Sequence, residues 1–181
     1  NAASSAFANG TTVVGTGTLT IQLGTYSATG NTFTAKAGSS PVKITIDSTN
    51  DTVNGIAAAI NSAGAGVTAS VVTDNSGSRL VLSSSSTGAA NGFKLTVADA
   101  DGNNTDAAGL SQIAFDPTAA AGAGKNLALT QSGQDASFSI NGLAWTSSSN
   151  SVSSAINGVT LNLTQAPLPS STLQAQVTVG T

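Results

Sequence analysis

The segment "DTVNGIAAAINSAGAGVTASV", Asp51 to Val71, decides the fold because it carries the one helical pattern in the chain. Asp51 or Thr52 can cap the first free amides of a helix, and Gly64 and Gly66 supply the permissive backbone that ends it. Apolar residues recur at i, i+3, i+4 and i+7 on one stripe, namely Val53, Ile56, Ala57 and Ile60. The pattern predicts a short amphipathic helix over residues 52–63 that packs on a sheet.

Strand patterns lie on both sides of this helix. Apolar and polar residues alternate there with a period of two, and the turn "DNSG", Asp74 to Gly77, joins two strands as a hairpin. The predicted strands are Thr18 to Leu23, Val42 to Asp47, Val67 to Thr73, Arg79 to Ser84 and Phe93 to Ala98. Together with the helix they form a first antiparallel module, residues 13–118, of a β-rich α+β fold.

A change of composition marks the candidate module boundary. Pro, Gly and Ala replace the alternation in "DPTAAAGAGKN", Asp116 to Asn126, and Ala119 to Lys125 is predicted to be an exposed linker. A second set of strand patterns follows, at Asn126 to Gln131, Ala136 to Ile140, Leu143 to Thr146, Val159 to Thr164 and Thr172 to Val179. These strands predict a second small antiparallel β module.

Asn141-Gly142 is the strongest hairpin signal in the chain. With a two-residue loop, Phe138 faces Trp145 and Ile140 faces Leu143, and all four side chains share one face. We expect this cluster to form the core of the second module. Stacking of a carbohydrate on Trp145 is the alternative interpretation.

Composition and charge exclude several classes of function. Hydrophobic residues make up 39% of the 181 residues, enough for a core, whereas charged residues make up only 7% and the net charge is −3. The five basic residues are scattered, so no patch can follow nucleic acid or an anionic membrane. Without cysteine there are no disulfides or thiolate metal sites. The longest apolar runs are too short to span a membrane, and no signal peptide is visible.

The residues that catalysis favours are missing. The chain has no His, Cys or Glu, and no Gly-x-Ser-x-Gly motif for a serine nucleophile. Paired aspartates remain conceivable, for instance Asp99 with Asp101 or Asp106. The turn "DADGNNTD", Asp99 to Asp106, is rich in oxygen ligands like a calcium loop but lacks its full spacing, so an Asp-Gly hairpin is the favoured interpretation. We predict no catalytic, cofactor-binding or metal-binding residues.

Several segments together resemble the FliD family of flagellar filament cap proteins. They are "GTGTLTIQLG" (Gly15 to Gly24), "VTASVVTDNSGSRLVLSSSSTGAANGFKLTV" (Val67 to Val97), "AGLSQIAFDP" (Ala108 to Pro117) and "DASFSINGLAWTSSSNSVSSAINGVTLNL" (Asp135 to Leu163). The first module also resembles the insertion around an Ile-Asn pair in flagellins. "NDTVNGIAAAIN" (Asn50 to Asn61) is echoed by "NSVSSAINGVTL" (Asn150 to Leu161).

The resemblance implies the middle, outward-facing domains of a cap protein. It implies that module 13–118 is inserted in a second module made of residues 1–12 and 119–181, which lacks partner strands that precede Asn1. We therefore expect a piece of a longer protein, whose helical terminal regions would carry a coiled coil and the self-association of a homo-oligomer.

The implied function is that of a secreted, extracellular hook-associated protein. It would cap the distal tip of the bacterial flagellar filament, retain exported flagellin and promote its assembly. Flagellin subunits are the expected partners, and exposed outer domains can also meet host glycans or mucin in cell adhesion. The alternatives are a flagellin-type or adhesin surface domain, or a carbohydrate-binding module.

Overall fold

The computed structural model describes residues 1–27, 32–120 and 122–164. The chain divides into two compact units between Asp135 and Ala136. The first unit contains one α-helix, α1 (Val53–Ser62), among the strands β1 (Ala2–Ala3), β2 (Gly17–Tyr26), β3 (Phe33–Ala35), β4 (Val42–Ile46), β5 (Val67–Asp74), β6 (Gly77–Ser84), β7 (Gly92–Asp99) and β8 (Ala128–Leu129). The fold class is β-rich with one short helix, as predicted.

Local sequence accounts for both ends of α1. The Thr52 side chain accepts a hydrogen bond from the Gly55 amide at 3.1 Å, which satisfies one of the free N–H groups of the first turn. After the last turn, Gly64 adopts a left-handed backbone with φ 61°, which ends the helix. The predicted stripe of Val53, Ile56, Ala57 and Ile60 is buried.

Two antiparallel sheets enclose the core of the first unit. One sheet has the strand order β5-β6-β1-β8. In the other, β2 pairs with β7 along one edge and with β3 and β4 along the opposite edge. Alternate residues of these strands face inward. The largest fully buried side chains come from both sheets, from α1, from a 3-10 helix (Gly109–Ile113) and from the residues after it: Leu19, Ile21, Ile46, Ile56, Ile60, Leu80, Leu82, Leu95, Leu110, Ile113, Phe115 and Leu127.

The predicted linker Ala119 to Lys125 lies within the first unit. The Asp116 amide donates to the Gly124 carbonyl at 2.8 Å, and Phe115 and Lys125 form a β-bridge. The segment is therefore a turn that is closed at its base and held on the body of the unit. The exposed residues without regular secondary structure come later, at 131–135.

The chain ends of the first unit also differ from the predicted division. Strand β1 pairs with β6 and with β8, so residues 1–12 and 119–135, which were predicted to belong to the second module, lie in the first unit. Local patterns do not reveal this pairing, because β1 and β8 have two residues each and their pairing joins distant parts of the chain.

The second unit contains two antiparallel hairpins among its described residues. Strands β9 (Ala136–Ile140) and β10 (Leu143–Ser147) pair in the predicted register, across Asn141 and Gly142 with φ 49° and 81°. Positive φ at both loop residues is what a two-residue hairpin turn of this type requires. The other hairpin joins β11 (Ser151–Ile156) and β12 (Val159–Asn162). The predicted strand Thr172 to Val179 lies outside the described residues.

The internal echo does not correspond to a structural repeat. Its first copy contains α1, whereas its second copy forms β11, a turn and β12. The short similarity in sequence therefore appears in two different secondary structures.

Candidate interaction surface

The hairpin β9–β10 places four apolar side chains on one face. We call Phe138, Ile140, Leu143 and Trp145 the hairpin face, and the register sets Phe138 opposite Trp145 and Ile140 opposite Leu143. Leu143 is 69% exposed and the other three are only partly buried. The described residues thus do not enclose the core that the sequence predicts there. Among the described residues of the second unit, the hairpin face therefore presents four apolar side chains that are exposed or only partly buried.

The acidic loop after β7 uses its carboxylates to hold its own backbone. Asp99 accepts a hydrogen bond from the Ser111 amide at 2.7 Å, and Asp101 accepts one from the Asn103 amide at 2.8 Å. The Asp106 carboxylate accepts the Ser111 hydroxyl at 2.5 Å. Within the described ranges no group of three or more His, Cys, Asp or Glu side chains is arranged to hold a metal ion. The turn that resembles a calcium loop is built as a hydrogen-bonded loop.

Charge contributes little to the surface of the described residues. Two ion pairs occur among them, Arg79 with Asp74 at 3.8 Å and Lys94 with Asp116 at 3.4 Å. Burial opposes ionisation of Asp116, but hydrogen bonds from Thr118 and the nearby Lys94 ammonium outweigh it, so the pKa of Asp116 lies below its ordinary value. With so few charges, long-range electrostatic steering of a partner is weak.

An aromatic cluster closes one end of the β2 sheet, and the sequence did not reveal it. The Tyr26 ring lies 5.3 Å from Phe33 and 6.5 Å from Phe115, and Phe93 lies 5.3 Å from Phe115 between ring centroids. Burial, followed by the Asp116 charge, raises the pKa of Tyr26 above its ordinary value. These rings stabilise packing. Their signal was hidden because Phe33 lies in a strand of only three residues.

No helix in the described part of the chain has the length and apolar character needed to cross a membrane. The helix α1 has ten residues and buries one stripe only.

Two family models match the chain in succession. The flagellin hook IN motif matches residues 11–86, and the C-terminal region of flagellar hook-associated protein 2 matches residues 133–181. The chain is 44% identical over 125 residues to the B-type flagellar hook-associated protein 2 of Pseudomonas aeruginosa, a match that covers 66% of this chain and 26% of that protein. The chain thus spans about a quarter of this curated relative.

Solved structures of similar proteins extend the comparison to the fold. The D2-D3 domains of the flagellar cap protein FliD from Escherichia coli match with a TM-score of 0.73 at 27% identity, over 92% of this chain and 76% of that one. The structure of FliD (HAP2) from P. aeruginosa matches with a TM-score of 0.66 at 36% identity, over 89% of this chain and 66% of that one. The fold similarity therefore extends over more of the chain than the sequence match to the curated relative.

Proposed function

Because the chain belongs to the FliD family of flagellar cap proteins, we propose that it supplies the middle, outward-facing domains of a filament cap. The observation that carries this proposal is the similarity to FliD D2-D3 domains over 92% of the chain, with a TM-score of 0.73. As part of a cap at the distal tip of the flagellum, outside the cell, the protein would retain exported flagellin and promote its assembly. Flagellin and further copies of the same protein are the proposed partners.

The proposed role is structural and non-enzymatic. The acidic residues considered for catalysis, Asp99, Asp101 and Asp106, accept hydrogen bonds from the loop that contains them. Carboxylates engaged in this way stabilise a turn and are poorly placed to transfer protons to a substrate. We accordingly assign them a structural function.

The first unit is proposed to be an insertion in the second. Its two ends lie side by side: the Asn1 backbone nitrogen donates to the Gln131 carbonyl at 2.6 Å, and the Thr130 amide donates to the Asn1 carbonyl at 2.9 Å. Neighbouring ends are what an inserted domain needs, since the host chain must continue from the point at which it was interrupted. A segment before Asn1 would then run antiparallel to the residues that lead into β9.

The proposed insertion also gives the hairpin face a function in folding. Partner strands from regions outside Asn1 to Thr181 would complete the second module and cover part of this face. Self-association is proposed to depend on regions outside these residues as well, because the described surface has few apolar anchors of the kind that stable interfaces need.

Contact with host glycans or mucin stays a prediction that depends on Trp145. This side chain is partly exposed on the hairpin face, and an exposed aromatic ring can stack on a sugar. As the chain has a single Trp, its fluorescence isolates this site. A saturable change in emission on adding mucin is the expected result, and the heat of mucin binding in calorimetry should be lost in Trp145→Ala; an unchanged emission spectrum, or equal binding by Trp145→Ala, would contradict the prediction.

Complementation tests the cap function itself. The complete protein that contains this chain should restore filament growth to a bacterial strain that lacks its own cap protein, and should reduce the flagellin lost to the medium. A matched protein with residues 1–181 deleted reports the contribution of these domains. An adhesin or carbohydrate-binding module would leave filament length unchanged, and that result would overturn the proposal.

A further inference from the structure

Asn61, near the end of α1, hydrogen-bonds to the backbone of strand β5 as a neighbouring strand would. Its Nδ2 donates to the Ala69 carbonyl and its Oδ1 accepts from the Ala69 amide, each at 2.8 Å. The carboxamide thus supplies one donor and one acceptor to a single residue, which reproduces the exchange of a hydrogen-bonded pair in an antiparallel ladder. Ile60, the preceding residue, is fully buried and anchors this end of the helix.

The contact identifies the free edge of the first sheet. Strand β5 is the terminal strand in the order β5-β6-β1-β8, and its register with β6 is continuous from Val67 to Asp74. Since both backbone groups of Ala69 point toward Asn61, they point away from β6. Alternation along the strand places the backbone groups of Val71 and Thr73 on the same outer edge.

Apart from α1, which packs against β5 and contributes Asn61, this edge lacks the usual protection against pairing with another chain. Natural edge strands are commonly shielded by Lys, Pro, a bulge or very short length. Strand β5 reads VTASVVTD and has eight residues, with its only charge at the last one, and Val72 is 51% exposed. Among the described residues, the side chain of Asn61 is the group that closes this edge.

We propose that Asn61 acts as a surrogate strand that prevents β5 from pairing with β5 of a second copy of the chain. The edge is self-complementary: around a twofold axis at Val71, Ala69 of each copy would face Thr73 of the other and Val71 would face itself. Each of these residues presents an outward N–H and C=O, so antiparallel hydrogen bonds can form along the whole edge. Because Asn61 already binds the backbone of Ala69, neither of the two Ala69–Thr73 pairs at the ends of this arrangement can form.

Ile60 and Asn61 lie inside the region matched by the flagellin hook IN motif, and each has a separate structural role. Ile60 fixes the position of the helix end and Asn61 closes the sheet edge. The inference depends only on contacts within the first unit and is independent of the cap function, so a failure of complementation would leave it untouched.

Hydrogen exchange in the unaltered 181-residue chain provides the first test. The Ala69 amide should show protection from exchange about fivefold greater than the amides of Val71 and Thr73, because its hydrogen bond to Asn61 must open before exchange. Those two amides lie on the same edge without a neighbouring strand and serve as internal controls. Equal exchange at the three positions would overturn the proposal, whether or not any variant folds.

Self-association of variants provides the second test. Asn61→Ala should shift the chain from monomer toward dimers or larger species in sedimentation, whereas Asn54→Ala, at the other end of the same helix, should stay monomeric. Thr73→Pro removes an outward N–H, so the double variant Asn61→Ala/Thr73→Pro should return to monomer. A monomeric Asn61→Ala, or association that Thr73→Pro fails to suppress, would overturn the proposal.

Discussion

Replacing Ile56 tests whether α1 is the central packing element of the first unit. Ile56 is completely buried and lies on the stripe that faces the sheets, together with Val53, Ala57 and Ile60. Ile56→Val removes one methylene group and should reduce the free energy of unfolding by about 0.5–1.5 kcal/mol. Ile56→Ala leaves a larger cavity and should cost about 2–5 kcal/mol.

A charge at the same position should have a larger effect. Ile56→Asp buries a carboxylate without a partner, and the cost of several kcal/mol approaches the total stability of about 5–15 kcal/mol typical of a domain. We expect the first unit to unfold in this variant. Ala58→Asp is the matched control, because Ala58 lies on the exposed side of the same helix and should change stability by no more than about 0.5 kcal/mol.

Urea denaturation followed by far-ultraviolet circular dichroism measures this series. The midpoints should fall in the order wild type and Ala58→Asp, then Ile56→Val, then Ile56→Ala, with the slope of the transition unchanged. A loss below about 1 kcal/mol for Ile56→Ala, or an equal loss for Ala58→Asp, would refute the assignment of the buried stripe.

The remaining predictions concern a carboxylate, a turn, a boundary and the assembly state. The folded-state pKa of Asp116 is lowered from 3.8, so its stabilisation is present above that pH and is lost as the pH falls through the folded value. Asp116→Asn should therefore cost roughly 1 kcal/mol at pH 7, and the difference from wild type should shrink in melts as the pH is lowered below 3.8. Gly142→Ala should destabilise the β9–β10 hairpin by roughly 1 kcal/mol, read from thermal melts that monitor Trp145 fluorescence, because φ is 81° there. Limited subtilisin digestion should cut first within 131–135, whereas early tryptic cleavage at Lys125 would contradict the closed turn. Light scattering should show the 181-residue chain as a monomer at micromolar concentration, and a tight oligomer would contradict the placement of assembly outside it.

Local patterns predicted the helix and the long strands well. Apolar residues three and four positions apart, together with the Thr52 cap, define α1 without tertiary information. The alternation of apolar and polar residues defines β2 and β5, because one face of each strand packs on the core. The hairpin at Asn141 and Gly142 could also be predicted from neighbouring residues alone, because Asn and Gly adopt positive φ most easily.

Non-local contacts explain what the sequence did not predict. The stretch 119–125 has the composition of a linker, yet Asn126 donates from its side-chain amide to the carbonyls of Asp106 and Ser111, which ties the end of this turn to the acidic loop. Strand β11 was missed because its serines hide the alternation, and Val152 is its only buried residue. The sequence shows Asn61 only as a polar residue on a helix, and its hydrogen bonds to Ala69 become visible only in the folded structure.

If the proposed cap function holds, closure of the β5 edge matters more at the filament tip than in solution. Copies held in one cap would present their first units to one another at effective concentrations that reach the millimolar range for linked modules. The strand pairing that Asn61 blocks would be favoured far more strongly there than between free chains in solution, because association rises with effective concentration. Outer domains that paired in this way would link neighbouring copies and restrict their movement. The Asn61 carboxamide, bound to the backbone of Ala69, prevents this pairing without adding charge. This fits a chain in which charged residues make up only 7%.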